Sequence, residues 1–283
     1  MRFGLFGINY AACADLATAI AVARAAEQAG FESLWTGEHV VLPDPQAPPS
    51  PAPPQTPFLD PVVALAALAQ HTTRVLLGTG IIILPQRNPL VLAKELVSLD
   101  VVSGGRLLFG VGVGYLEPEF RALGIPFEDK GARTMDYLRA MQAVWTKEKP
   151  EYDGRFARFS GIDAQPRPVQ KPHPPIVFGG HTPPAFRRAV EIAAGWYGFA
   201  MDVDAASRCI EGLGAAARKV ARPDGLGRLE VSITPPPGLP DADTVQRYAD
   251  AGVDRLILLP PPGRRDDLLR YVDKAAKDHR MNG

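Results

Sequence analysis

The chain has 283 residues, 46% of them hydrophobic and 22% charged, a composition that excludes a disordered, fibrous or acidic-tail protein and requires a packed core. Thirty-one Lys and Arg balance 31 Asp and Glu, so the sequence offers no net positive field for nucleic acid or an anionic membrane surface. The expected partner is therefore a small-molecule substrate, with at most a second copy of the chain beside it as a homodimer.

In chain order the apolar period switches repeatedly between strand and helix. Arg2–Ile8 reads as a buried strand, Ala14–Ala29 as an Ala-rich helix that Asp15 helps start and Gly30 ends, and Phe31–Thr36 as a second strand. Residues 43–57 hold eight of the 29 prolines and form no regular element, which makes them a long, semi-rigid excursion. Helix Asp60–His71, strand Val75–Gly80, helix Pro89–Ser103, strand Arg106–Gly112 and helix Arg133–Trp145 follow, with an excursion at 116–127 before the last. Glu151–Ser160, with Asp153-Gly154 at its centre, reads as a hairpin inserted before strand five. Strands Pro175–Phe178, Trp196–Met201, Leu229–Thr234 and Arg255–Leu259 then alternate with helices Pro184–Ala194, Ala205–Ala221, Ala242–Ala251 and Asp266–Lys277. Eight βα units predict a (β/α)8 TIM barrel, one domain over residues 1–283; an open doubly wound sheet is the alternative, but its nucleotide fingerprint is missing.

Cys13 and Cys209 both fall in helical patterns and make neither a disulfide framework nor a zinc-ligand spacing, so no metal is expected. The opening MRFGLFG lacks a signal-peptide core, and no apolar run approaches the ~18 residues of a membrane span; a reducing, cytoplasmic setting is the expectation.

In such a barrel the reactive groups sit where strands end and βα loops begin. Gly37-Glu38-His39 follows strand two directly. Adjacent strand residues point to opposite sides, so one of Glu38 and His39 can reach the cavity while the other braces the rim, and the two cannot share a metal. Strand four ends in Gly110-Val111-Gly112-Val113-Gly114-Tyr115, where Tyr115 occupies the place of the last glycine of a dinucleotide fingerprint. The alternating glycines admit either a flat ring or a second backbone. In Gly80-Ile81-Ile82-Ile83-Leu84 the apolar run outlasts its strand, through a long strand or a bulge at Gly80-Ile81. After strand five, Gly179-Gly180-His181-Thr182-Pro183-Pro184 opens a helix carrying Arg187 and Arg188. Paired glycines, a capping Thr182 and prolines in the first turn suggest free backbone N–H groups and an anion site suited to phosphate.

These residues resemble the luciferase-like monooxygenase superfamily of flavin- and deazaflavin-dependent enzymes. The likeness runs from GFESLWTGEH through ILPQRNPLVLAKELVSLDVVSGGRLLFGVGVGYLEPEF to PPIVFGGHTPPAFRRAVEIAAGWYGF. The branch it resembles most uses coenzyme F420 to transfer hydride. That resemblance implies a bulge with a non-prolyl cis peptide at Gly80-Ile81, catalytic work for Glu38 and His39, and a phosphate held by Gly179, Gly180, His181 and Thr182. The implied cofactor-binding set adds Val113, Gly114, Tyr115 and Arg187. Relatives that oxidise sugar phosphates carry a catalytic Glu where Tyr115 stands, with Glu117 and Glu119 nearby here, and the family's acidic "DGW" is Ala194-Gly195-Trp196. FMN is the alternative cofactor, in a monooxygenase fed by a separate reductase. A cofactor-free ligand-binding barrel is the alternative of another class. The apolar segment and Pro-rich flap suggest a hydrophobic substrate.

Overall fold

The computed structural model describes residues 1–281. Its strands, in chain order, are β1 (Arg2–Phe6), β2 (Ser33–Thr36), β3 (Leu76–Thr79), β4 (Ile82–Ile83), β5 (Leu107–Gly112), β6 (Tyr152–Asp153), β7 (Arg158–Phe159), β8 (Ile176–Gly179), β9 (Gly195–Gly198), β10 (Glu230–Ile233) and β11 (Arg255–Leu258). Eight of them, β1, β2, β3, β5, β8, β9, β10 and β11, each pair in parallel with the next, and β11 pairs back on β1 to close a barrel. β4 continues β3 beyond a bulge, with Ile82 opposite Val111 of β5. β6 and β7 are the expected antiparallel hairpin. The helices are α1 (Leu16–Gln28), α2 (Pro61–Ala69), α3 (Pro89–Ser103), α4 (Glu117–Ala122), α5 (Lys130–Thr146), α6 (Pro183–Ile192), α7 (Val203–Ala217), α8 (Ala242–Asp250) and α9 (Arg265–Asp278). The fold is a (β/α)8 barrel.

Short polar side chains fix where the helices leave the barrel mouth. Asp60 accepts hydrogen bonds from the Val62 and Val63 N–H at 2.9 and 3.1 Å, and Asn88 from those of Leu90 and Val91 at 3.0 and 3.2 Å, each followed by a proline whose missing N–H costs nothing there. Strand alternation then separates two cores. Leu34, Leu77, Phe109 and Phe178 face the helices, while Phe6, Trp35, Leu108, Val177, Tyr197 and Ile257 fill the barrel interior. Trp35 is fully buried, and only a glycine fits across from it, since a Cβ at Gly78 would lie 2.5 Å from its ring. At the N-terminal end of the strands Arg255 donates two hydrogen bonds, each 2.8 Å, to the carboxylate of Glu32.

The structure moves several boundaries. Asp15 does cap α1, accepting from the Thr18 N–H at 2.9 Å, so the helix starts at Leu16 and not at Ala14; Cys13 lies in a 3-10 turn before it. The excursion at 116–127 contains the short helix α4, and α5 begins at Lys130. β9 stops at Gly198, short of Met201, because Ala200 takes a positive φ of 54° that an extended strand does not allow. Among the described residues no helix is long and apolar enough to cross a membrane.

Candidate active site

The alternation that turns Trp35 inward continues past β2, and it separates Glu38 from His39. Glu38 faces outward. Its carboxylate accepts from the Ile83 N–H, from Arg87 Nε at 2.9 Å and from Arg87 Nη2, which also donates to Asp60 at 2.6 Å. Burial holds the Glu38 carboxyl above its ordinary value, with Arg87 and the Ile83 N–H opposing. Burial lowers Arg87, but its two carboxylate partners outweigh that and hold it above its ordinary value. Three donors converge on this one carboxyl group. Glu38 thus braces the rim, tying the end of β2 to β4 and to the start of α2.

His39 faces the mouth. Its side chain is 8% exposed, and Nδ1 lies 3.3 Å from Glu119 Oε2. The other oxygen of Glu119 accepts from the Val40 N–H at 2.6 Å, and the Glu119 side chain is fully buried. A carboxylate accepts, so Nδ1 is the donor of this pair. Nε2 is turned toward the Tyr115 hydroxyl, 3.5 Å away. Tyr115 is half exposed, and burial, with Glu119 adding to it, raises its phenol above the ordinary value. Glu119 is the partner that sequence reasoning missed: it stood as a neighbour of Tyr115, not as the group behind His39. The available signal was its place in Leu116-Glu117-Pro118-Glu119-Phe120, where Leu116 and Phe120 bury one helix face and carry Glu119 in with them.

Aromatic rings continue from His39 along the rim. Phe58 and Tyr115 meet it edge-on at 5.9 Å, Tyr10 stacks on Phe58 at 5.1 Å, and Phe6 contacts Tyr10 and Phe199. Phe58 arrives from the Pro-rich excursion, whose return is fixed by Ala11 N–H to Pro57 O at 3.0 Å and Leu59 N–H to Asn9 O at 2.9 Å. The buried Asn9 amide joins the departing and returning chain, donating to the Gly37 and Leu59 carbonyls and accepting from the Gly37 N–H.

The Gly80–Ile81 peptide is cis, as the resemblance implied, and β3 bulges there. The glycines of β5 make room for that bulge. A Cβ at Gly110 would lie 1.6 Å from Thr79 O, one at Gly112 2.6 Å from Ile81 Cδ1, and one at Gly179 3.1 Å from Ile81 Cγ2. Approach of a second backbone is found at Gly110, while Gly112 and Gly179 leave room for the Ile81 side chain. Gly114 packs against Ile83 and Phe120, and Val113 joins the outer core, so neither lies with Ile81.

At the other side of the mouth Gly180 has φ of 123°, open to glycine but strained for other residues, and its carbonyl accepts from Trp196 Nε1 at 2.8 Å. Thr182 occupies the N-cap of α6 without a side-chain capping bond. Pro183 and Pro184 fill the first two helical positions and carry no N–H, which corrects the expected donor set: only Ala185 in the helix, with Gly180, His181 and Thr182 in the loop, can offer one. Arg187 lines a neighbouring cavity together with Arg188.

A sequence model of the family described as luciferase-like monooxygenase matches residues 1–278. An uncharacterized protein of Mycobacterium tuberculosis (strain ATCC 25618 / H37Rv) is 33% identical over 271 residues, 92% of this chain and 93% of that one. The oxygenase component of the flavin-dependent trigonelline monooxygenase of Acinetobacter baylyi is 31% identical over 200 residues, 68% of this chain and 52% of its own length. Among solved structures, an F420-dependent secondary alcohol dehydrogenase bound to an F420–acetone adduct superposes with a TM-score of 0.79 at 16% identity, covering 98% of this chain and 99% of that one. The chain belongs to the luciferase-like monooxygenase family.

Proposed function

We propose that the chain is an F420-dependent oxidoreductase that moves a hydride between the deazaflavin and a small, hydrophobic organic substrate. The observation that carries this reading is the alignment of Glu119, His39 and Tyr115 at the mouth. Hydride transfer to or from a carbon bearing oxygen leaves a proton to be placed on or taken from that oxygen. His39 Nε2, with its tautomer fixed by Glu119, is a base suited to that proton, and Tyr115 stands between it and solvent. When bound, the deazaflavin supplies the two-electron hydride chemistry.

The residues present fit such a group. Gly80 and Ile81 offer a flat apolar surface backed by Gly112 and Gly179, and the loop Gly180–Thr182 with Ala185 offers backbone donors for a phosphate. Phe6, Tyr10, Phe58 and Phe199 favour an apolar substrate, and the excursion above them serves to exclude water.

A second reading, FMN-dependent monooxygenation with reduced flavin from a separate reductase, is favoured by the A. baylyi relative, which is flavin-dependent by name. Mixing the purified protein with F420 or FMN, removing free cofactor and recording the absorbance tests both. Retained F420 absorbs in the violet and supports the first reading. Retention of FMN alone supports the second. Retention of neither overturns both and leaves a cofactor-free binding barrel.

A further inference from the structure

Outside the mouth, between α5, α6 and the β6–β7 hairpin, lies a cavity of about 370 Å3 with an unbalanced charge. Four arginines, Arg139, Arg155, Arg187 and Arg188, line it against two carboxylates, Asp136 and Glu191. Both carboxylates are already engaged. Asp136 accepts from the Tyr152 hydroxyl and from the Phe156 and Ala157 N–H, at 2.8, 2.8 and 3.0 Å, and Glu191 pairs with Arg139 at 2.9 Å. Arg155 pairs with Asp129 at 3.1 Å. The side chains of Arg187 and Arg188 have neither an ion pair nor a hydrogen bond among the described residues.

The site is shaped for Arg188. Its guanidinium lies over Gly131 at the start of α5, where a Cβ would come within 2.3 Å of Nη2. Burial, reinforced by the like charge of Arg187 and opposed by Glu191, depresses its pKa. Two adjacent guanidinium groups face one cavity with no direct ion pair of their own, Glu191 being paired with Arg139, and an anion between them relieves their mutual repulsion. Neighbouring residues on a helix project about 100° apart, so the two forks reach the cavity from different sides and a ligand bridging them carries more than one negative group. Met135, Phe156 and Pro184 give the cavity an apolar part, and the Phe156 ring is held by Arg133 and Arg155, whose Cζ atoms lie 4.4 and 4.6 Å from its centroid.

We infer that this cavity binds a small organic oligoanion, a compact di- or tricarboxylate or a phosphorylated metabolite with carbon between its charges. None of Gly179, Gly180, His181 and Thr182 lines it, so the site is separate from the proposed cofactor loop and does not depend on which cofactor occupies the mouth.

Calorimetric titration of the full-length protein at low ionic strength, with tricarballylate, with glycerol 2-phosphate and with pyrophosphate, tests the inference. One saturable site for an organic anion is expected, weakened about tenfold or more in Arg187→Gln/Arg188→Gln and unchanged in Arg121→Gln, a surface control. Tighter tricarballylate identifies the carboxylate source, and tighter glycerol 2-phosphate the phosphate source. Without ligand the double variant should melt at or above the wild-type temperature, since it gives up no ion pair. Absence of saturable binding, equal binding by the double variant, preference for pyrophosphate over both organic anions, or a melting point several degrees lower would overturn it.

Discussion

His39 and Glu119 stand 80 positions apart in the chain, yet Nδ1 of the one lies 3.3 Å from Oε2 of the other, and the second Glu119 oxygen holds the Val40 N–H at 2.6 Å. A buried carboxylate therefore fixes both the tautomer of the imidazole and the backbone that follows it, and it leaves Nε2 as the basic atom at the mouth.

His39→Ala should lower kcat by ~10²-fold or more while cofactor affinity stays within a few-fold. Glu119 acts through His39, so Glu119→Gln, which keeps an acceptor but not the charge, should reduce kcat by about tenfold with little change in KM. Steady-state kinetics together with cofactor titration separate these outcomes. Unchanged turnover in a folded His39→Ala protein removes His39 from the reaction.

Glu38 holds Arg87 and the Ile83 N–H in a nearly dry setting, with 2% of its side chain exposed. Glu38→Ala should destabilise the fold by about 3 kcal/mol, because Arg87 loses its buried partner and the Ile83 N–H is left unsatisfied. Urea unfolding measures this. A loss of activity with no loss of stability would instead give Glu38 a direct part in the reaction.

Gly110→Ala places a methyl group 1.6 Å from a carbonyl oxygen of the neighbouring strand, a clash that no rotamer relieves. The loss should be about 3 kcal/mol or more, above the usual range for overpacking. Gly225→Ala, with nothing within 4 Å of its Cβ, should be nearly neutral and serves as the control. Chemical denaturation of the two variants side by side checks the contrast.

Burial lowers the pKa of His173 below its ordinary 6.5, with the Pro174 carbonyl opposing. The neutral ring is satisfied on both sides, Nδ1 at 2.9 Å from Pro174 O and Nε2 at 3.2 Å from Gln142 Nε2, so protonation sets an N–H against an amide NH2. The unfolded chain binds the proton near pH 6.5 and the folded one only below that, so stability should fall as pH drops from 7 toward 5.5. His173→Gln should flatten that slope, as read from melting curves across the same window. A variant that retains the full slope assigns it to another group.

The Pro-rich excursion is anchored on its return at 57–59, outside the Asp44–Pro54 stretch. Replacing Asp44–Pro54 by a short Gly-Ser bridge should therefore leave the melting temperature nearly unchanged while raising KM and loosening substrate selectivity. A large loss of stability with normal kinetics would mark the segment as a structural brace.

The barrel was legible in the sequence because its signals are local. Apolar runs such as Arg255–Leu258, caps such as Asp15 and punctuation such as Gly30 act within a few residues, and each states an element or its end. The split of Glu38 from His39 followed from strand alternation, although the sequence left open which residue faced inward. Three features were decided by packing between segments far apart in the chain. Glu119 reached His39 only because α4 buries Leu116 and Phe120. The glycines of β5 found their purpose only against the bulge at Ile81, two strands' worth of chain away. Arg187 and Arg188, read as partners of a phosphate on their own loop, line a cavity between α5 and α6, where Gly131 leaves space for the Arg188 guanidinium. Local sequence determines which way a backbone runs and which residues can face a core. What a polar side chain meets there depends on the neighbouring element, and that is fixed only once the strands have closed into a ring.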